Sequence, residues 1–395
     1  MTEERLTHVS AAFSRRFSGE PAFIARAPGR VNLIGEHTDY NDGFVMPCAL
    51  SFDVLMAVRS RPDETVVLHS ANFPGDASFP LDDIEKSGIK WAQYIKGVAW
   101  AMQEAGYPLR GADVALEGDV PVGSGLSSSA ALEVAACLSL AHNSGHVIPG
   151  PEMAQICKRA ENEFIGVPSG IMDQFISAVG QDGHALFLDC RDLSFEHIPF
   201  DPDAAGLAMV VADTSKHRGL TEGVYAKRVE ECEEAVRLLK QFIPGMKNLR
   251  DVTFDEFQIH QPHLPDVIRC RARHVVSENA RVLGAREALK AGVYEGLGAL
   301  MNASHDSLVA DYECAGPHLE AMVTASRSIP GVLGSRMTGA GFGGCTVTLL
   351  RKESLAQFMA EVPGLYQEAI SVLPKESDLV PHLYAVSASG GARVL

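Results

Sequence analysis

No two cysteines in this chain are spaced C-x-x-C. The eight present (Cys48, Cys137, Cys157, Cys190, Cys232, Cys270, Cys314, Cys345) are scattered. That argues against a zinc or disulfide framework and for buried free thiols in a reducing cytoplasm. Uninterrupted apolar stretches of about 18 residues are also missing, so nothing is expected to span a bilayer. Met1–Glu20 lacks an apolar h-region and a small-residue cleavage site. Being charged and amphipathic, it reads as a first helix and not as a signal peptide. Basic residues are scarce: 34 Lys and Arg stand against 50 Asp and Glu, a formal charge of -16. Such a surface repels phosphate backbones and anionic membranes, so neither nucleic acid nor membrane is an expected partner. A nucleotide ligand would need positive charge local to its site. There is no Gly-Lys-Ser/Thr of a Walker A loop, no internal repeat and no low-complexity linker.

What remains is a globular composition, 395 residues with 46% apolar and 21% charged, enough for one large or two ordinary domains. Strands are expected at Ala22–Arg26, Val54–Ser60, Val66–Ser70, Ala112–Glu117, His184–Leu188, Leu207–Thr214, Val332–Arg336, Cys345–Leu350 and His382–Ser387. Helical spacing marks Trp91–Ala105, Leu126–His142, Glu152–Phe164, Ile171–Val179, Thr221–Phe242, Val275–Lys290, Tyr294–Val309 and Leu355–Leu373. Leu126–His142 is almost continuously apolar, which predicts a buried helix. Strands and helices alternate without a strict βαβ rhythm, so the fold class is α+β and not a doubly wound parallel sheet. A division into two lobes falls near residues 185–210, taken here as 1–190 and 191–395.

Four segments carry chemistry. Pro121-Val-Gly-Ser-Gly-Leu-Ser-Ser-Ser-Ala130 joins a strand to a helix. Gly123 and Gly125 permit close backbone approach, and Ser127, Ser128 and Ser129 fall where helix N–H groups are unpaired and an anion is favoured. A plain serine N-cap would need only one of them. Ala27-Pro-Gly-Arg-Val-Asn-Leu-Ile-Gly-Glu-His-Thr-Asp-Tyr-Asn-Asp-Gly43 packs eight polar side chains into apolar surroundings, which suits a pocket for a hydroxyl-rich ligand better than a solvated loop. Asp173 opens a helix that Ser169 is expected to cap, where the dipole favours its ionised form. A lone acid there could also be simple dipole matching. Glu161 sits at a helix C-terminus, where an acid is misplaced unless a metal or a cation answers it. Gly339-Ala-Gly-Phe-Gly-Gly344 has the G-x-G-x-x-G spacing but leads into a strand, so it is expected to be a tight turn and not a dinucleotide site.

Taken together and in this order, Ala27–Gly43, Pro121–Ala131 and Met337–Gly344 resemble the galactokinases, of the superfamily that holds homoserine, mevalonate and phosphomevalonate kinases (GHMP). Trp91–Gly97, Arg271–Asn279 and Ile171–Phe175 are similar too, and the likeness covers about residues 22–388. The resemblance implies a two-lobed fold, with a ribosomal-S5-like N-terminal lobe and an α+β C-terminal lobe around a cleft. It implies ATP-dependent phosphorylation of the C1 hydroxyl of galactose, the first committed step of galactose use, by a cytoplasmic monomer or weak dimer. By matching position, Asp173 is the catalytic base or an electrostatic anchor and Arg30 its partner. Glu36, His37, Asp39, Gly170, Tyr225 and Gly341 fall on the sugar side. Gly123, Ser124, Gly125, Leu126, Ser127, Ser128, Ser129, Ala130, Ser70 and Trp91 fall on the nucleotide side, and Ser128 or Ser129 with Glu161 in the Mg²⁺ environment. Two departures concern Tyr225: Gly223-Val224 stands where the family has Ser-Glu, and the basic position in Lys216-His-Arg-Gly219 is shifted. Rival readings are N-acetylgalactosamine, arabinose or another hexose as substrate, a non-catalytic galactose sensor, or a non-catalytic acidic scaffold, which would not explain three ordered motifs. Such sensors have a shortened serine loop, and this loop is whole.

Overall fold

The computed structural model describes residues 3–216, 221–373 and 378–395. Its strands are β1 (Phe23–Asn32), β2 (Phe44–Val45), β3 (Pro47–Ser60), β4 (Thr65–Ser70), β5 (Ala77–Pro80), β6 (Ala112–Gly118), β7 (His184–Asp189), β8 (Phe195–Pro199), β9 (Leu207–Asp213), β10 (Val332–Met337), β11 (Cys345–Arg351), β12 (His382–Val386) and β13 (Arg393–Val394). Its helices are α1 (Glu3–Phe17), α2 (Lys90–Glu104), α3 (Ser128–Ser144), α4 (Gly150–Arg159), α5 (Met172–Val179), α6 (Thr221–Leu239), α7 (Phe254–His260), α8 (Asp266–Lys290), α9 (Tyr294–Ala310), α10 (Gly316–Arg327) and α11 (Leu355–Ile370). No helix among the described residues is long and apolar enough to cross a membrane.

Three sheets organise the described residues. The largest runs β13-β1-β3-β6-β4-β5, antiparallel except for the parallel pair β4–β6. The connection from β4 to β6 carries β5 and α2, the length a parallel crossover needs. A four-stranded sheet runs β10-β11-β9-β12, and a three-stranded one runs β2-β7-β8. This is the expected α+β arrangement. The hairpin β7–β8 spans residue 190, and β13 returns from the far end of the chain to pair with β1.

Apolar alternation explains where the layers close. Val54, Met56 and Val58 of β3, with Val66 and Leu68 of β4, face α2 and α3 across the main core. Leu55 and Ala57 face the other way onto Val9 and Phe13 of α1. As its composition predicts, α3 is buried almost all round, Val134, Ala135, Cys137 and Leu140 included. Each large apolar side chain so buried contributes about 1.5–3 kcal/mol. In the other half, α10 and α11 cover the four-stranded sheet through Met322, Phe358, Val362 and Tyr366. None of the eight cysteines is in a disulfide, and six of them are buried.

Most expected elements form within a few residues. The expected Val275 start is late by two and a half turns: α8 begins at Asp266, and polar Arg269 and Arg271 on its first turns break the apolar period. The expected Glu152–Phe164 helix ends its α-helical part at Arg159 and continues as a π-helical stretch, Ala160–Ile165.

Candidate active site

β1 delivers the first functional side chain. Its register against β3 slips between Pro28 and Arg30, so the strand bulges there. Bulges re-aim side chains. A side chain on Gly29 would meet the Leu126 carbonyl at 2.7 Å, so glycine lets the serine loop come down onto the bulge, where Arg30 N donates to Leu126 O. Arg30 then reaches Asp173 with a two-pronged fork: Nε to Oδ1 at 2.7 Å and Nη2 to Oδ2 at 2.6 Å. Its third arm, Nη1, donates to Gly125 O at 2.6 Å. Arg30 is 5% exposed, whereas Asp173 keeps 32% of its side chain open. Asp173 lies in the first turn of α5, as expected, but Ser169 does not cap that helix. Its hydroxyl donates instead to Glu161 Oε2 at 2.5 Å.

Two cavities meet at this ion pair. The smaller, of about 280 Å³, is lined by Glu36, His37, Asp39, Glu161, Gly170 and Tyr225 among others. The larger, of about 650 Å³, is lined by the serine loop and by an apolar slot of Phe73, Ile89, Trp91, Tyr94 and Leu132. Arg30, Ser129 and Asp173 border both.

In the smaller cavity the polar residues of the 27–43 segment divide into two groups. Asn32, Thr38 and Asn41 turn inward and hold the loop: Asn32 donates to Glu36, Thr38 to Gly35 O and Asn41 to His37 O. Glu36, His37 and Asp39 face the cavity. Both Glu36 oxygens are engaged, Oε1 by Gly339 N at 2.9 Å and Oε2 by Asn32 and Arg336. Burial pushes the Glu36 carboxyl up to about 7, with Arg336 and the Gly339 N–H pulling the other way. His37 bonds through Nδ1 to Tyr40 Oη and through Nε2 to Ala340 O, tying the segment to the glycine turn between β10 and β11. Burial and the neighbouring Asp173 charge raise the Asp39 carboxyl to about 6. Gly170 lies directly against Asp39: a Cβ there would fall 1.5 Å from Oδ2. Tyr225 closes the cavity, its ring 5.8 Å from that of His37. Of the segment before it, His217, Arg218 and Gly219 lie outside the described residues.

On the other side, α3 starts with its N-cap residue, Ser127, at a left-handed φ of 62° and with no side-chain cap. The Ser127 hydroxyl donates to Asp173 Oδ2 instead. The first N–H groups of the helix are therefore left without a side-chain acceptor, the arrangement that receives an anion.

The acids behind this junction outnumber their donors. Gln174 Nε2 donates to both Glu133 Oε2 (3.0 Å) and Glu161 Oε2 (2.8 Å). Glu133 Oε1 is buried with no hydrogen-bond partner. Burial raises the Glu161 carboxyl above its usual range, with the Asp173 charge adding to the rise and Ser169, Gln174 and Ser129 opposing it. An oxygen-rich, charge-poor corner of this kind suits a hard divalent cation.

Five of the expected positions, four on the nucleotide side and one on the sugar side, line neither cavity. Ser124 donates to Pro121 O, and Leu126 and Ala130 are buried behind the loop, so these three shape it without facing the cavity. Ser70 accepts from Asn72 N and Phe73 N, and so positions a wall of the cavity without forming one. Gly341 packs on the Cys314 carbonyl, while its neighbours Gly339, Ala340 and Phe342 face the cavity. Sequence reasoning missed Arg336, Glu278 and the Gly166–Pro168 wall. An arginine within an otherwise small and apolar strand was the available signal for the first of these.

Residues 11–60 match the family model described as the galactokinase galactose-binding signature. Residues 93–181 and 285–366 match the N-terminal and C-terminal domains of GHMP kinases. The galactokinase of Roseiflexus sp. (strain RS-1) is 46% identical over 357 residues, 90% of each chain, and that of Streptomyces coelicolor is 41% identical over 98% of each. A Lactococcus lactis galactokinase solved with galactose superposes with a TM-score of 0.92 at 35% identity, covering 98% of this chain and 99% of that one. The mevalonate kinase of Methanococcus jannaschii shares the fold alone, at 16% identity and a TM-score of 0.64, over 94% of this chain and 99% of its own.

Proposed function

The chain belongs to the galactokinase family, and from that premise we propose that galactose fills the smaller cavity and ATP the larger. The reaction is transfer of the γ-phosphoryl group of ATP to the C1 hydroxyl of galactose. One observation carries the placement: the Arg30–Asp173 pair stands where the two cavities join.

Phosphoryl transfer asks mainly for positioning and for charge stabilisation. A carboxylate offers about four acceptor positions. Arg30 and Ser127 take three on Asp173, which leaves one for the C1 hydroxyl. Asp173 then orients that hydroxyl and receives its proton as the new P–O bond forms. Arg30, shared between Asp173 and the loop carbonyl of Gly125, places positive charge where charge gathers on the moving group. The start of α3 holds the phosphates, and the slot around Trp91 and Phe73 takes the base. Ser129 and Glu161 would hold Mg²⁺, and Ser128, which borders only the nucleotide cavity, is the lesser candidate. When bound, the ion supplies charge neutralisation to the phosphates. Glu36 and Asp39 accept sugar hydroxyls and reject an epimer that leaves them unpaired. Eight cysteines without a disulfide suit a reducing cytoplasm.

The test is an ADP-release assay with MgATP and galactose, 2-deoxygalactose, N-acetylgalactosamine, glucose, arabinose and mevalonate. Turnover with galactose and little with glucose is expected; preference for any other acceptor would displace this reading. Two further outcomes follow from the geometry. Arg30→Lys should lower kcat about 100-fold, since a point charge cannot reproduce the fork to Asp173. Near-normal kcat in that variant would remove Arg30 from the reacting centre. Asp39 has a raised carboxyl, ionised only above about 6. On acidification through that value one oxygen stops accepting, so the galactose KM should rise between pH 7.5 and 5.5 while the ATP KM changes less. An Asp39→Asn enzyme should have lost that part of the pH response.

A further inference from the structure

Behind the sugar cavity lies a set of buried charges that the scheme above does not use. β10 carries Arg336, 0% exposed, between Ser335 and Met337. Its Nη1 contacts Glu36 Oε2 and donates to Asn32 O at 3.2 Å. Its Nη2 lies 4.0 Å from Glu278 Oε1. Glu278, on α8, is held in turn by Gly35 N (2.9 Å), Ser304 Oγ (2.5 Å) and Arg281 Nε (2.6 Å).

This arginine is expensive. Two of its donor nitrogens, Nε and Nη2, have no hydrogen-bond partner. A buried guanidinium left so incompletely paired costs stability that an apolar side chain of similar volume would not. What it gains is local. Glu36 is 2% exposed and borders the sugar cavity, and Arg336 is the cation in contact with it. Without that charge, burial favours a protonated Glu36, which offers a hydroxyl where the sugar meets an acceptor. The backbone geometry fits. Arg336 precedes Gly339 by three residues, and Gly339 N holds the other Glu36 oxygen, so one strand end grips both halves of the carboxylate. The other ionisable neighbours are His274, whose Nε2 bonds to Glu36 O, and Cys314; burial lowers the first to about 4 and raises the second to about 12, so both are neutral at pH 7.

We propose that Arg336 is a positioning residue for sugar recognition: anchored in the core by Glu278, it fixes the Glu36 carboxylate as an acceptor aimed into the galactose cavity. This rests on the reading that Glu36 meets the sugar.

The experiment compares Glu36→Gln, Arg336→Met, Arg336→Lys and the double variant Arg336→Met/Glu36→Gln for kcat, both KM values and Tm. Arg336→Met should raise the galactose KM about tenfold or more, the loss expected for one hydrogen bond to a charged group, and leave the ATP KM within about twofold. Arg336→Lys should recover part of that loss. In the double variant Tm should recover, because no buried carboxylate is left unpaired, while the galactose KM stays high. An unchanged galactose KM in Arg336→Met, with only Tm lowered, would reduce Arg336 to a structural residue. If that variant does not fold, Arg336→Lys decides: a galactose KM raised severalfold supports the role and an unchanged one overturns it. Glu36→Gln separates the two levels. A normal galactose KM there sinks the reading of Glu36 and the proposal with it. A raised KM there beside a normal one in the Arg336 variants sinks the proposal alone.

Discussion

Replacing Asp173 by Asn is expected to lower kcat about 1000-fold, within the range that losing a positioned proton acceptor or a preorganised charge costs. The amide keeps the size and one acceptor oxygen but not the charge. It also turns an N–H₂ toward Arg30 or Ser127, both of which donate to this position. Sugar affinity should change far less, because Glu36, His37, Asp39 and Tyr225 line the smaller cavity independently of Asp173. Single-turnover kinetics with a parallel galactose titration would check this. A variant within about tenfold of the parent in kcat would show that the chemistry does not depend on this carboxylate.

The second large effect comes from a residue without a side chain. A methyl group at Gly170 would fall 1.5 Å from Asp39 Oδ2 and 2.2 Å from its Cγ, an overlap no rotamer adjustment at the glycine can relieve. Either Asp39 vacates its place at the cavity or the loop before α5 shifts, and that loop precedes Asp173. Displacement of about 1 Å near reacting groups can cost 100-fold, and Gly170→Ala should raise the galactose KM by roughly that factor. Adding Asp39→Ala should then cost little more, since the two changes act on one contact. Fully additive losses in the double variant would show that Gly170 acts through something other than Asp39.

These two positions also mark what the sequence could and could not disclose. Asp173 and Arg30 are 143 residues apart, yet each sits in a motif with a chemical signature, and the structure joins them. The buried helix at α3 and the turn between β10 and β11 followed from composition and from glycine spacing. Ser169 was misread because serine ahead of a helix is a local signal, and its hydroxyl is taken by Glu161, which the chain brings alongside through a π-helical stretch. Arg336 and Glu278 were passed over because pairing within the core is a tertiary fact. Nothing local says that a strand arginine will meet an acid 300 residues earlier. Nor could any periodicity have announced β13, a two-residue strand whose partner is fixed by register alone.

That short strand has a consequence for how the protein is made. β13 covers the open side of β1, and the backbone oxygen of Gly390 and the hydroxyl of Ser389 satisfy two arms of the buried Arg26 guanidinium, 364 and 363 residues away in the chain. During vectorial synthesis the N-terminal residues emerge first and begin to fold first. Until residues 389–394 emerge, that margin of β1 is bare, and among the described residues Asp53 and Leu50 are left to answer Arg26. A nascent chain paused anywhere before that point exposes a row of unpaired peptide groups that can recruit another strand. The first lobe to appear is thus sealed only after residues 389–394 have been made.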